Sequence, residues 1–291
     1  MKQKIRFIIN PKSGVGQKNL IPGLIEENLD LTVFDYDIVY TEYSKHGKLI
    51  AKEASDQGYD VVCAVGGDGS VHEVGTALIG TKTKLAILPA GSGNGLARHL
   101  KIPMDIADAL KCINENNAIK MDTVKVNDKS FLGVAGYGFD AVIAKKFDTH
   151  TKRGLRGYIY LIFREFFKYN PINVSIDIDG KVKTLPVVLL TVANSSQFGN
   201  GFSISPKSDV TDGKLEMCIL KPFSIWSAPS IIYRFFRKTS DKSRFTEILS
   251  FKKAKIHLSE KIAHYDGEPF DVKEDLIVNI VPQSLNVLIG K

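Results

Sequence analysis

Over the first third of the chain, short apolar runs alternate with stretches of helical spacing. Ile5–Ile9 reads as a buried strand, Lys18–Asn28 as a helix and Phe34–Tyr40 as a strand. Gly47–Gln57 carries Leu49, Ile50 and Ala54 on one side of a helix. Asp60–Val65 is a second buried strand, Val71–Ile79 a helix and Leu85–Leu88 a third buried strand. Continuous apolar strands alternating with helices predict a parallel sheet covered on both faces. Such sheets bind ligands beyond the carboxyl ends of their strands. Glycine- or turn-rich segments follow Ile9, Val65 and Leu88.

From about Asp122 the pattern changes to strands separated by turn dipeptides. The runs are Thr123–Val126, Phe131–Ala135, Val174–Ile178, Val187–Val192, Leu215–Leu220, Lys255–Leu258 and Leu276–Val281. Asn127-Asp128, Asp179-Gly180 and Asp212-Gly213 mark turns between them. Helical inserts are expected at Tyr158–Tyr169 and Ile225–Arg237. The fold class is therefore an α/β N-terminal domain with a parallel sheet, followed by a β-rich sandwich domain. The expected boundaries are 1–122 and 123–284, and a last strand at Leu285–Ile289 can rejoin the first domain with residues 285–291.

Composition narrows the class only a little. The 291 residues are 44% hydrophobic and 24% charged, an ordinary globular balance, with net charge +7. That charge suits phosphate-bearing ligands or an anionic membrane. Cys63, Cys112 and Cys218 are too far apart for a metal knuckle, and Cys63 lies in an apolar run as a buried thiol would. Unclustered cysteines and the lack of a recognisable targeting peptide predict a cytoplasmic protein. No run approaches the ~18 apolar residues of a membrane span, so any membrane contact is peripheral.

Candidate chemistry gathers in the three strand-end segments. Gly66-Gly67-Asp68-Gly69-Ser70 follows a strand and precedes a helix. Its glycines let backbone N–H groups approach phosphate oxygens, and the helix start adds a favourable dipole. Asp68 among phosphates requires a cation between them, which implies Mg²⁺. A glycine-rich turn with an N-capping aspartate fits the same five residues. Asn10-Pro11-Lys12-Ser13-Gly14 supplies a rigid turn and a cation, or simply a turn. Pro89-Ala90-Gly91-Ser92-Gly93-Asn94-Gly95 is the third segment. Neither a Walker loop nor a dinucleotide fingerprint is present.

These segments, with Val71-His72-Glu73-Val74 and the run Leu88–Arg98, resemble the signatures of the diacylglycerol kinase catalytic-domain family. That family includes bacterial lipid kinases, sphingosine kinases and ceramide kinases. The resemblance continues in order through Gly136–Asp140, Ser205-Pro206, Asp212-Gly213 and Asp266-Gly267-Glu268-Pro269. It implies a nucleotide domain like that of phosphofructokinase and NAD kinase, a lipid-binding sandwich, and Mg-ATP as phosphoryl donor. Asn10, Pro11, Lys12, Ser13, Gly14, Thr41, Gly66 to Glu73, Gly91, Ser92 and Asn94 then match nucleotide contacts. Within them lie Gly67, Asp68, Gly69, Ser70, Val71, His72 and Glu73. Asp68 and Asp122 match acids near Mg-ATP. Glu268 matches a general base, a role that sphingosine-kinase-like members give to the acid matching Asp68. Asp209, Asp212 and the Lys214 backbone match a structural Mg²⁺ site. Gly95 stands where many bacterial members have Asp, and His72 where they usually have Asn.

On the residues alone, Asp266-Gly267 also fits a plain hairpin turn with Glu268 beside it, and Asp209 and Asp212 fit an ordinary acidic turn. Phe223–Phe245 interleaves aromatics with Arg234, Arg237, Lys238, Lys242 and Arg244, and Lys145–Lys168 is a second such stretch. Each fits an anionic membrane surface or a core-packed helix with a solvated basic face. Lys152, Arg153 and Arg156 are alternative phosphate ligands. The expected function is an ATP-dependent lipid kinase in lipid metabolism, with a lipid substrate, transient contact with an anionic membrane, no nucleic-acid partner, and a homodimer left open. The rivals are a soluble-substrate kinase of the NAD kinase or phosphofructokinase type and a non-catalytic binding protein of the same fold.

Overall fold

Ile5, Phe7, Ile8 and Ile9 are all buried because β1 (Gln3–Ile9) lies inside a parallel sheet. It pairs on one side with β2 (Phe34–Tyr40) and on the other with β3 (Val61–Gly66), and β4 (Lys84–Pro89) lies beyond β3. These relations come from a computed structural model that describes residues 2–11, 20–148, 164–165, 169–259, 262–272 and 275–291. The chain divides into two units, Met1–Thr123 with Pro282–Lys291, and Val124–Val281.

In the first unit the strand order is β2-β1-β3-β4. The chain leaves β1 toward one edge and resumes beyond its other side, so the order reverses between β1 and β3. Helices α1 (Ile21–Asn28) and α5 (Ile106–Glu115) pack together, as do α2 (His46–Asp56) and α3 (Asp68–Ala77). The sequence pattern predicts neither α4 (Gly95–His99) nor α5. Yet α5 has a readable start, because Asp105 caps it by accepting from the Asp108 amide, and Ala109, Leu110 and Ile113 form its buried stripe. The helix expected from Lys18 begins at Ile21, with Pro22 in its first turn, where proline's missing N–H costs nothing. Residues 12–19 lie outside the described chain.

The second unit is a sandwich. One sheet has the order β14-β13-β10-β7-β16-β17, comprising Thr246–Phe251, Leu215–Leu220, Leu189–Ala193, Val134–Gly138, Ile262–Tyr265 and Glu268–Asp271. The facing layer contains β8 (Ile172–Ile178), β9 (Lys181–Val187), β15 (Lys253–Leu258) and the first residues of β18 (Leu276–Leu288). Ala135, Tyr137, Leu190 and Met217 from the first sheet meet Val174, Ile176, Ile256 and Val278 from the second in one core. A second cluster on the outer face of the six-stranded sheet joins Leu189 and Cys218 to Ile143 of α6 (Phe139–Asp148) and to Ile231 and Phe235 of α7 (Ala228–Phe236). Burial on both faces explains why these strands read as unbroken apolar runs. It also pushes the Cys218 thiol up to about 12 and the Cys63 thiol higher still, so both are inert.

Two expected strands are broken in the structure. The run Phe131–Ala135 splits into the end of β6 (Lys129–Phe131) and the start of β7. The amides of Leu132 and Gly133 donate to the Asp266 carboxylate, which competes with strand pairing. The run Val187–Val192 splits at Val188, which follows β9 and precedes β10. The helix expected at Tyr158–Tyr169 lies largely outside the described residues, as do Lys152, Arg153 and Arg156. Among the described residues no helix is long and apolar enough to cross a membrane.

The C-terminal segment closes the first unit. Val287 pairs with Leu85 in parallel, and the amides of Ile289 and Gly290 donate to the Asn117 and Leu100 carbonyls at 3.0 and 3.1 Å. A methyl group on Gly290 would collide with the Lys101 carbonyl. Gly290→Ala is expected to cost about 1–3 kcal/mol, read as a lower urea midpoint with an unchanged slope. An unaltered midpoint would show that this segment is loosely held.

Candidate active site

Parallel pairing brings the loops after β1, β2, β3 and β4 to one edge. Backbone bonds hold them there: Asn10 N donates to Val65 O, Thr41 N to Ile9 O, and Ala90 N to Gly66 O. The loops after β1 and β3 leave the two strands between which the order reverses, the usual crevice of an open α/β sheet. Across it, Asn10 Nδ2 donates to Ser70 Oγ at 3.3 Å. Lys12, Ser13 and Gly14 lie outside the described residues.

Gly67 and Gly91 pack backbone against backbone, and a methyl on Gly91 would overlap the Gly67 Cα. The glycines of two segments are thus needed for the loops to approach, independently of any ligand. The helix boundary also differs from expectation. It starts at Asp68, so only Gly66-Gly67 precedes it and Asp68, Gly69 and Ser70 form the first turn of α3. No side chain caps that turn from Gly67. A helix start with glycine backbone around it fits a phosphate-bearing group, because N–H dipoles point outward and no Cβ blocks approach.

Asp68 reaches sideways. Its Oδ1 accepts from Gly95 N at 2.7 Å and its Oδ2 from Asn94 N at 2.9 Å. The carboxylate therefore ties the β3–α3 loop to the start of α4. Gly95 serves through its backbone N–H, so the residue's lack of a side chain leaves this bond intact. Asn94 adopts the left-handed conformation at φ 54°, which asparagine tolerates, and its side chain closes the loop on Gly91. Gly91 N donates to Asn94 Oδ1 at 3.1 Å, and Asn94 Nδ2 donates to Gly91 O at 2.9 Å. Ser92 stands exposed at the tip.

Glu73 makes a second clamp of the same kind. Its Oε1 accepts from Lys45 N at 2.7 Å and its Oε2 from Gly47 N at 3.0 Å, fixing the start of α2 beside Thr41. Gly47 is a close approach, since a methyl there would lie 2.9 Å from Glu73 Oε2. Val71 is buried under the loop, while His72 is half-buried on α3.

The expected acids divide. Asp122 on β5 (Ala118–Val126) is fully buried and accepts from Gln283 N at 2.7 Å, so it secures the bend after Pro282. Asp209 closes a turn by accepting from Thr211 N and Oγ1, and Asp212 accepts from Lys214 N. Neighbouring Glu216 is buried and bonded to Ser208 Oγ at 2.7 Å, and burial raises its pKa. Among the described residues no group of three His, Cys, Asp or Glu side chains is placed to hold a metal ion.

In the second unit, Glu268 opens β17 and is exposed. The hairpin before it turns through Asp266 and Gly267 with φ of 48° and 89°, the left-handed pair that two-residue hairpins favour. On sequence alone Asp266 is a turn former. In the fold it is also an acceptor, taking the amides of Leu132, Gly133 and Val134 on its carboxylate at 2.8 to 3.0 Å. Its own amide donates to Val134 O, which locks the hairpin to the β6–β7 break. The Asp-Gly dipeptide signals the turn, but nothing local signals the three distant donors.

A family profile described as "Diacylglycerol kinase catalytic domain" matches residues 4–126, and one described as "YegS C-terminal NAD kinase beta sandwich-like domain" matches residues 133–289. The chain belongs to the diacylglycerol kinase catalytic-domain family. Membership places it among kinases, and its α/β and sandwich units are those of the family. A protein named "Probable lipid kinase YegS-like" from Chromohalobacter salexigens is 28% identical over 230 residues, covering 77% of this chain and 74% of that one. A Staphylococcus aureus protein named "Diacylglycerol kinase" is 28% identical over 226 residues, covering 76% of this chain and 71% of its own length. An uncharacterized Synechocystis protein is also 28% identical, over 81% of this chain but only 58% of its own. The crystal structure of a Bacillus anthracis diacylglycerol kinase superposes with a TM-score of 0.79 at 25% identity, covering 99% of this chain and 97% of that chain.

The hairpin before Glu268 is tested through Asp266. Asp266→Asn keeps a residue that tolerates positive φ but leaves one acceptor oxygen where the carboxylate has two. The expected loss is about 1.5–3 kcal/mol of stability, measured by urea denaturation. Wild-type stability would mean that the three amides find other acceptors.

Proposed function

We propose that this protein is an ATP-dependent lipid kinase that transfers the γ-phosphoryl group to a hydroxyl of a long-chain lipid at an anionic membrane surface. The observation that carries this reading is the glycine-bounded cradle of Gly67, Gly91 and the start of α3 on the same strand ends as Asn10 and Thr41. A cradle built of backbone suits a polyphosphate, and the names of the relatives support a lipid acceptor.

The nucleotide residues are Asn10–Gly14, Thr41, Gly66 to Glu73, Gly91, Ser92 and Asn94. Their described members act in two ways. Glycine backbone around the first turn of α3 receives phosphate oxygens, and the Asp68, Glu73 and Asn94 bonds hold the loops in place before ligand arrives. Preorganisation of this kind is the main protein contribution to phosphoryl transfer. Mg²⁺, when bound, would neutralise phosphate charge. It is commonly held by one or two carboxylates together with the phosphates, so a dedicated protein cage is not required. Asp68 is the acid on this edge that fits such a shared site. Asp209, Asp212 and the Lys214 backbone are retained as a separate structural site for the same ion.

Glu268 is assigned as the base that accepts the lipid hydroxyl proton. It is exposed and carried by a hairpin that Asp266 holds rigid. Asp68 is the weaker choice, because its carboxylate is already committed to holding the Asn94 and Gly95 amides and to the shared Mg²⁺ site.

Glu268→Gln is expected to lower turnover by about 10²–10⁴ while leaving affinity for a non-hydrolysable ATP analogue within a few-fold of wild type. Turnover near wild type would remove Glu268 from the role. The substrate class is read by mass spectrometry after incubation with Mg-ATP, a lipid extract and NAD. Phosphorylated lipid supports the proposal. Phosphorylated NAD, or nucleotide binding without any product, overturns it. For the structural ion, calorimetric titration with MgCl₂ without nucleotide should show a site that Asp209→Asn abolishes, and a flat titration would retire it.

A further inference from the structure

Helix α7 has an inner face that accounts for only part of its apolar content. Ile231 and Phe235, one turn apart, are buried against the six-stranded sheet, and Phe235 stacks on Phe202 with ring centres 4.7 Å apart. A helix docked this way ordinarily turns a polar face to water. Here Tyr233 is 64% exposed, and Phe236 remains 45% exposed although its ring meets Phe202 edge-on. Trp226, in the single-turn helix Ile225–Ser227 just before α7, is 90% exposed. Four of the eleven large hydrophobic side chains exposed among the described residues fall within 225–236, which is clustering rather than scatter.

The charge around this cluster has one sign. Arg237, Lys238, Lys242 and Arg244 are exposed and Arg234 is half-buried. The lone acid of Phe223–Phe245 is Asp241, which is ion-paired at 2.9 Å with Lys207 from outside the stretch. Arg244 also lies over the Phe245 ring at 4.7 Å, so its charge sits beside an aromatic. Cations beside projecting Trp, Tyr and Phe match the two layers of an anionic bilayer surface, phosphate outside and hydrocarbon beneath. A folded acidic partner would satisfy the charges but would need a shaped pocket for a tryptophan that projects almost wholly from the surface. A bilayer accepts such a side chain without one.

We propose that the outer face of α7 and the turn before it, led by Trp226, Tyr233 and Phe236 with Arg237 and Lys238, is the surface by which this protein docks on anionic lipid bilayers. α7 lies along the interface and does not cross it. The inference deepens the lipid-kinase reading, on which it rests, by naming the membrane-contacting surface, and it is testable without ATP.

Trp226 is the single tryptophan of the chain, so intrinsic fluorescence reports this surface directly. The full chain is titrated with phosphatidylcholine vesicles, with and without phosphatidylglycerol, following emission and co-sedimentation. Emission is expected to shift to the blue and the protein to sediment only with the anionic vesicles. Arg237→Glu with Lys238→Glu should weaken co-sedimentation by about tenfold or more. Trp226→Ala with Tyr233→Ala should weaken it by about tenfold. A thermal melt like that of wild type verifies that these surface variants fold. Sedimentation without a blue shift would place the contact elsewhere and overturn the proposal, as would no binding or binding unaffected by either variant pair. Phosphorylation of a detergent-dispersed lipid extract is measured separately. Docking without any lipid product would sink the kinase reading and leave the docking surface standing. Loss of docking in the variants with product formation retained in detergent supports both.

Discussion

A carboxylate can accept from several backbone N–H groups at once, and the irregular segments of this chain depend on that capacity. Asp68 holds two amides at the start of α4, Glu73 two at the start of α2, and Asp266 three at the break between β6 and β7. In each case the donors lie where regular hydrogen bonding ends, so the side chain satisfies amides that would otherwise need water. Such bonds are charge-assisted and stronger than ordinary ones. They tie these irregular segments to distant parts of the chain.

The clamps and the glycines act together. Asp68 draws the start of α4 toward α3, and that approach is possible only because Gly67 and Gly91 present no Cβ to each other. The result is an edge where two glycine loops meet backbone to backbone, at the point where the strand order reverses. A polyphosphate needs N–H donors at fixed positions more than it needs particular side chains. An edge of this kind depends little on which side chains surround it. It also explains why Gly95 is compatible with the site: its contribution is an amide, available from any residue.

The second unit combines a conventional sandwich core with a helix whose apolar side chains exceed what that core covers. Burial of the six-stranded sheet under α6 and α7 uses Ile143, Ile231 and Phe235. Tyr233 and much of the Phe236 ring are left in water, and the cations beside them give that surplus a direction. The lipid-kinase reading proposed above gives that surplus a use, and among the described residues no helix is long and apolar enough to cross a membrane.

Much of this architecture is written locally. Strand runs such as Asp60–Val65, the glycine segments after them and the Asp-Gly hairpin depend on hydrophobic period and turn chemistry, which neighbours along the chain specify. The order of the motifs is enough to carry the family resemblance. Local pattern does not decide where a polar side chain turns. Asp68 reads as a metal or phosphate neighbour, yet its carboxylate also ties down the amides of Asn94 and Gly95. Asp122 reads as a second site acid, and its buried carboxylate also accepts from the Gln283 amide. Asp266 reads as a turn former, and its donors lie more than 130 residues away. The strand break at Leu132–Gly133 has the same origin, since a backbone amide chooses its acceptor only when distant segments have met. Sheets, loops and the kind of chemistry they support follow from chain order, because short-range periodicity and turn preference suffice to encode them. Which carboxylates hold the scaffold, and which aromatics of α7 remain uncovered, emerge only on folding, because both depend on partners far apart in the chain.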